Sequence, residues 1–444
     1  MVVDIVMVYN EMDLLQLRMW EMHEYVDLFV IIEARQTFTG KKKGLCFDTV
    51  KNEPRFSRFK NKIKHIVIDE FVGPDSVWNR EEQQRNGALS SGFLDTLDDD
   101  DIIITSDVDE IPSWSTLKEM VNVPDGSRIN TNVYWSLYYA NLVMPKRWGP
   151  GPMALRVSTL KKYFRSDFQF LRCGKSDCQS IVINDAGWHI SYTGKKAVVL
   201  DKLDGFSHQE TNTELIRDSY GKCVVDKLCL WDNSIKLEYM PWGSMPFPES
   251  FRNDDKNLLS MFYPQRAVDL AKESRMTING FNEANSVTGI IELIHDFVKP
   301  KDHVVEIGSF EGASTEAFAL FCNTVDSIDP YLPVRGQEWE SALSSAEKTF
   351  VERMKGYANV KKFKITSGEA LRSYGNGTLD FVYIDGDHTD AGVLGDIALA
   401  KKAVKKGGVV AGHDYYEGVK KCIDSVIGKP DKTYRDASWA WINR

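Results

Sequence analysis

Residues 98–112 of this 444-residue chain, Asp98-Asp99-Asp100-Asp101-Ile102-Ile103-Ile104-Thr105-Ser106-Asp107-Val108-Asp109-Glu110-Ile111-Pro112, constrain the fold most. Three consecutive isoleucines between acidic residues suit a short strand buried on both faces, as in the middle of a parallel sheet, and Pro112 stops regular pairing soon after. Asp107 and Asp109 then fall where a central strand empties into a loop, the edge of an open α/β sheet at which ligands bind. Two carboxylates one residue apart on extended chain can both reach a divalent cation, and such a cation can bridge to a diphosphate.

The flanking pattern agrees. Segments 2–9, 27–33 and 64–69 read as strands rich in branched apolar residues. Segment 11–23, with Leu14, Leu15, Met19 and Met22 at helical spacing, and segment 79–94 read as helices between them. This alternation predicts a mostly parallel sheet with helices on its faces. The segment Glu33-Ala34-Arg35-Gln36-Thr37-Phe38-Thr39-Gly40-Lys41-Lys42-Lys43 follows a strand and is rich in donors. Arg35 and Lys41 are therefore candidates to hold donor phosphates, against the plainer reading of a solvated basic loop. Glu81 and Arg85 stand four apart on a helix, and an ion pair alone accounts for them.

A formal net charge of −9 disfavours nucleic acid or an anionic membrane as the main partner. No apolar run approaches the ~20 residues that span a bilayer, so no transmembrane segment is expected. Met1-Val2-Val3-Asp4-Ile5 has no basic flank or cleavage site and reads as a first strand. Seven cysteines without a Cys-X-X-Cys pair suit reduced thiols, and the expectation is a soluble, cytoplasmic protein.

Five motifs in order resemble glycosyltransferase family 17, a β-1,4-N-acetylglucosaminyltransferase-like family, over about residues 1–265: Tyr9-Asn10-Glu11; Gln36-Thr37-Phe38-Thr39-Gly40-Lys41; Trp78-Asn79-Arg80-Glu81 with Gln84-Arg85-Asn86; Ser106-Asp107-Val108-Asp109-Glu110-Ile111-Pro112; and Gly187-Trp188-His189. The resemblance implies a GT-A-like, Rossmann-like domain. It further implies metal-dependent, inverting transfer from a nucleotide sugar to a glycan acceptor, with Asp107 and Asp109 binding Mn2+ or Mg2+. An inverting transfer needs a base for the acceptor hydroxyl, for which Glu110 and Asp185 are candidates, and His189 is a candidate further metal ligand.

Pro241, Pro246, Pro248 and Pro264 interrupt the pattern, which places a domain boundary near residue 270 and divides the chain into 1–270 and 271–444. From Glu283 onward a helix is followed by strands at 303–307, 325–328, 360–365, 381–384 and 408–411. Helices at 313–322, 338–354 and 393–404 alternate with them, and 433–444 reads as a closing antiparallel strand. This is a second doubly wound α/β unit. Gly308 and Gly312 lie after its first strand, where backbone can approach a cofactor, with Glu306 before them and Asp329 placed to accept ribose hydroxyls. Tyr383-Ile384-Asp385-Gly386-Asp387-His388 and Val410-Ala411-Gly412-His413-Asp414 put acidic and imidazole groups at two strand ends that would converge on one metal.

These residues resemble the class I S-adenosylmethionine-dependent methyltransferases, in particular the metal-dependent sugar and catechol O-methyltransferase branch, over about residues 276–444. The resemblance implies Gly308, Gly312 and Asp329 as cofactor residues, Asp385 and Asp414 as ligands of Mn2+ or Mg2+ with His413 as a third, and His388 as the general base. The combined expectation is a bifunctional enzyme of glycan assembly that transfers a sugar and O-methylates a sugar hydroxyl. Two alternatives stand beside it. In one the first domain is only a glycan-binding module; in the other the methyltransferase acts on a non-sugar small molecule.

Overall fold

In the computed structural model, which describes residues 1–194, 196–244, 247–252, 256–273, 287–332, 340–416 and 418–444, the chain divides into two compact units. Residues 1–217 and 227–263 form the first, and residues 218–226 and 264–444 the second. The helix Glu214–Asp226 therefore begins in one unit and ends in the other. Pro246, Glu283 and the onset of the helix expected from residue 338 lie outside the described residues.

Among the described residues the first unit has twelve strands: β1 (Val2–Val8), β2 (Leu28–Ala34), β3 (Ile63–Ile68), β4 (Ile102–Asp107), β5 (Glu110–Pro112), β6 (Ser127–Thr131), β7 (Tyr134–Leu137), β8 (Leu142–Val143), β9 (Met153–Arg156), β10 (Gln179–Ile183), β11 (Gly187–Ser191) and β12 (Glu238–Tyr239). Seven of them make a sheet in the order β10-β6-β9-β4-β1-β2-β3, parallel from β4 to β3, with β9 running antiparallel between β4 and β6. Successive side chains alternate between two cores. Val3, Ile5 and Ile103 pack with Val30 and Ile32 on one face, while Val6, Val8 and Ile104 pack with Phe29 and Ile31 on the other. Both faces of β4 are covered at residues 102–104, which suits isoleucine at all three positions.

The remaining strands form a smaller sheet, β12-β8-β7-β11-β5, which the sequence did not announce because its strands are only two to five residues long. The helix Met12–Met22 serves both sheets: Leu15, Met19 and Met22 join the core under the large sheet, and Leu14 and Leu17 join Ile111, Trp188 and Ile190 of the small one.

The second unit is one seven-stranded sheet of β13 (His303–Ile307), β14 (Thr324–Ile328), β15 (Val360–Phe363), β16 (Leu379–Ile384), β17 (Val404–Gly412), β18 (Lys432–Thr433) and β19 (Trp439–Ile442). Its order is β15-β14-β13-β16-β17-β19-β18, and β19 is antiparallel to β17, as expected for the closing strand. Helices Ser367–Ser373 and Val419–Ile427 add to those read from the sequence.

Register decides where ligands can sit. In the first unit Met7 of β1 lies beside Asp107 of β4, so the turns after both strands open at one sheet edge, between strands from which the chain winds in opposite directions. In the second, Ile307 lies beside Ile328 and Ile384, and Ile384 beside Gly412. Asp329, Gly308, Asp385 and His413 thus follow one another along a single edge.

Candidate active sites

In the first unit the turn from β4 to β5 is held from beneath by Arg18. This side chain is wholly buried on the helix Met12–Met22 and forms a two-pronged ion pair with the equally buried Asp4 of β1, at 2.8 and 2.6 Å. Its Nη1 donates to Ser106 Oγ at 2.9 Å and to the carbonyl oxygens of Asp107, at 3.3 Å, and Glu110. Side-chain charge from the sheet centre therefore fixes the backbone that presents Asp107 and Asp109.

Above this turn lies a cavity of about 420 Å³. Asp107 meets Arg85 at 2.8 Å and Arg172 at 3.2 Å, while Arg85 also pairs with Glu81 at 2.9 Å and Arg172 with Glu110 at 2.6 Å. Asp109 meets Lys202 at 2.9 Å and His189 at 3.5 Å, and Lys202 reaches Glu11 at 3.1 Å. Burial opposes ionisation of both aspartates, yet the guanidiniums of Arg172 and Arg85 hold Asp107, and Lys202 with His189 holds Asp109, below the usual carboxylate range. The same pairing raises Lys202 and Arg172 above their ordinary values against burial, so Asp107, Asp109, Lys202 and Arg172 stay charged.

Aromatic rings form another wall of the cavity. Trp135 stands 5.0 Å from Trp148 and 6.4 Å from Trp231 between ring centres, and Trp148 lies 4.6 Å from His189. The indole N–H groups of Trp135 and Trp231 are buried and meet no hydrogen-bond acceptor among the described residues, and Glu81 Oε2 is likewise buried without a donor. Flat apolar faces beside unused polar atoms suit a ring that is apolar on its faces and hydroxylated at its edge.

The sequence-derived residues are partly brought together here. Asp107, Asp109 and His189 line the cavity. Glu110 does not: it is fully buried, bonded to both terminal nitrogens of Arg172, to Trp148 Nε1 at 2.6 Å and to the Asp107 N–H at 3.2 Å, so it braces the turn and has no free edge for a substrate proton. Asp185 sits in the exposed turn between β10 and β11, paired with Arg147 at 2.5 Å, and is not a cavity residue. Arg35 pairs with Asp69 at the surface and Lys41 is exposed; neither lines the cavity. Of the cations that do line it, Lys43 and Arg85 come from stretches the sequence singled out, whereas Arg172 and Lys202 come from helices Phe168–Cys173 and Lys196–Gly205, where no motif marked them.

For a divalent ion the donor types are chemically suitable, two carboxylates and an imidazole, although among the described residues Asp107, Asp109 and His189 do not form a group whose ligand atoms lie within 4.8 Å of one another. Glu81, Asp107 and Glu110 share Arg85 and Arg172, while Glu11 and Asp109 share Lys202, so carboxylates outnumber cations by two, the charge of one such ion. Each aspartate oxygen, however, already faces a cation or an imidazole.

In the second unit the strand ends converge as the register requires. Gly308 has φ +82°, and a Cβ added there would lie 2.0 Å from the Asp385 carbonyl oxygen, so only glycine allows the β13 and β16 turns to meet. Gly312, at φ +83°, leads the helix Ala313–Ala319, where a Cβ would come within 2.9 Å of Phe350. Asp329 accepts the backbone N–H groups of Phe310, at 2.9 Å, and Tyr331, at 2.7 Å, and so draws the glycine loop to the end of β14. Glu306 is buried and accepts the Thr315 hydroxyl. This glycine-lined edge with a carboxylate at the neighbouring strand end suits an adenosine-bearing cofactor.

Among the described residues, Asp385, His388 and Asp414 form the cluster able to hold a metal, each offering a ligand atom within 4.8 Å of the others. His388 Nε2 lies 2.9 Å from Asp414 and 3.5 Å from Asp385. His413, expected as the third ligand, is outside this cluster: its Nδ1 lies 2.8 Å from Asp414 Oδ1, where it orients that carboxylate from the protein side. Hydrogen bonds that the His388 imidazole donates to the Asp385 and Asp414 carboxylates push it up to about 10.

Residues 1–230 match the family model of glycosyltransferase family 17, and residues 305–415 match that of a methyltransferase domain. The human β-1,4-mannosyl-glycoprotein 4-β-N-acetylglucosaminyltransferase is 30% identical over 116 residues, 25% of this chain. The chain spans only 22% of that relative's length. Among solved structures, the Haemonchus contortus phosphoethanolamine N-methyltransferase 1 is 17% identical with a TM-score of 0.25, over 38% of this chain and 30% of that one. An SAM-dependent O-methyltransferase from Thermotoga maritima is 16% identical with a TM-score of 0.25, over 35% and 51%. Among the described residues, no helix is long and apolar enough to cross a membrane.

Proposed function

Since this chain belongs to glycosyltransferase family 17 and carries a methyltransferase domain, we propose that it is a two-site transferase of glycan assembly. The first unit passes a sugar from a nucleotide sugar to a glycan acceptor, with inversion, and the second O-methylates a sugar hydroxyl. The cavity carries this reading: a floor of Asp107, Asp109, Arg85, Arg172 and Lys202 beside a wall of Trp135, Trp148 and Trp231 offers a diphosphate its charge partners and a sugar its stacking faces. A divalent ion held by Asp107 and Asp109, with His189 beside them, would take up charge growing on the departing diphosphate.

Glu110 braces the turn and Asp185 lies outside the cavity, so Glu81 takes the role of base. It lines the cavity, Arg85 holds its Oε1, and Oε2 remains to accept the acceptor hydroxyl proton. In the second unit Gly308, Gly312, Asp329 and Glu306 hold S-adenosylmethionine, which supplies the methyl group. His388 takes the proton of the sugar hydroxyl, for which it must first give up the proton that Asp385 and Asp414 now stabilise. A divalent ion on those two carboxylates would take over their charge and acidify the hydroxyl.

The test is release of nucleoside diphosphate from UDP-, GDP- and dTDP-sugars offered with glycan acceptors and Mn2+. Asp109→Asn should abolish turnover. Glu81→Gln should lower kcat about 100-fold or more while donor binding persists. Asp414→Asn should remove methyl transfer from S-adenosylmethionine and leave glycosyl transfer intact. Turnover untouched in Asp109→Asn would overturn the first assignment, and methylation surviving in Asp414→Asn the second.

A further inference from the structure

The aspartates and the basic side chains of the first cavity are each other's partners, which leaves neither set open to a ligand. An ion arriving alone must displace Lys202 from Asp109 and Arg85 or Arg172 from Asp107, at 2.9, 2.8 and 3.2 Å. A diphosphate arriving alone meets cations already engaged, in two ion-pair networks that each hold one carboxylate in excess. In a site this buried, such uncompensated charge is costly. Together the two ligands remove both obstacles, because the ion needs the carboxylates and the diphosphate needs the cations.

We infer that Arg85, Arg172 and Lys202 are the diphosphate-binding residues and that they work by exchange: Asp107 and Asp109 pass from the three cations to the metal as the cations pass to the phosphate oxygens. The inference rests on the proposed glycosyl transfer and goes beyond it. Neither metal nor nucleotide binds well alone, and each raises the affinity of the other by the same factor. Lys202 is the clearest instance, since it stands between Asp109 and Glu11 with its charge shared by both. Removing it frees an oxygen for the metal and removes a partner from the phosphate, so the two affinities must move in opposite directions.

The experiment uses the full chain with Asp414→Asn, which silences the second unit's metal cluster. Binding of Mn2+ alone, of UDP alone in EDTA, and of both together is followed by calorimetry, corrected for the Mn2+–UDP complex formed in buffer, with GDP and dTDP as parallel arms. Saturating nucleotide should tighten Mn2+ about tenfold or more. Adding Lys202→Met should tighten Mn2+ alone while weakening nucleotide in the presence of Mn2+. A lost fold would weaken both, so this crossing of signs separates exchange from damage. Equal Mn2+ affinity with and without the bound nucleotide would overturn the exchange, as would nucleotide binding in EDTA as tight as with Mn2+. No nucleotide bound under any condition would overturn the glycosyl-transfer reading and the exchange with it.

Discussion

Arg18 and Asp4 are both wholly shielded from solvent, so each depends on the other for its charge balance. Removing one member of such a pair costs about 3–5 kcal/mol. Arg18→Met should therefore lower the unfolding free energy of the first unit by that amount, and the double variant with Asp4→Asn should regain part of it; denaturant titration measures both. Nothing in the sequence singled out Arg18, an arginine in an amphipathic helix. Asp107 and Asp109 were legible because a strand end announces its own position. Glu110 was misread because its partners, Arg172 and Trp148, come from 62 and 38 residues away, and Asp185 because a loop residue carries no sign of the way its turn faces. The second cluster shows the same limit. The sequence could set His388 and His413 at the right strand ends, but which imidazole joins the two carboxylates depends on side-chain direction.

The six- and seven-residue strands β1, β2, β4 and β16, covered on both faces, were legible nearly to their ends, since burial leaves its mark on their positions. The small sheet was not, because β8 and β12 are two residues each and are specified by their neighbours. Glycine at strand ends was legible as a place of close approach, and the structure adds which approach it is. Gly308→Ala would drive a methyl group against the Asp385 carbonyl and should abolish S-adenosylmethionine binding, as read by calorimetry. Gly407→Ala is the matched control. Its φ is similarly positive, at +78°, but the added carbon meets nothing within 4 Å, so only a backbone cost of about 1–2 kcal/mol should appear.

Across the whole molecule, charge buried away from any cavity also sets how stability responds to pH. Glu292, on the helix Thr288–Phe297, is pushed up to about 7 by burial, with Asp226 adding to the shift and Arg435 opposing it. Its folded form holds a proton that the unfolded chain releases near pH 4.5, so the second unit is favoured fully below that pH and loses this contribution as pH rises through 7. Glu292→Gln should gain on the wild type by up to about 3 kcal/mol between those limits, seen as a Tm difference that widens from pH 4.5 to 7.5. The same neighbourhood shows how the chain is threaded. The Gly221 N–H reaches Asp296 at 3.3 Å and Asp226 pairs with Arg435 at 2.9 Å, although both come from a nine-residue stretch, 218–226, inserted in the first unit's sequence. On a ribosome that stretch emerges before its partners Asp296 and Arg435, and the first unit must wait for 227–263 before it can close. A gene cut at any single codon therefore leaves at least one of the two units missing a piece of itself.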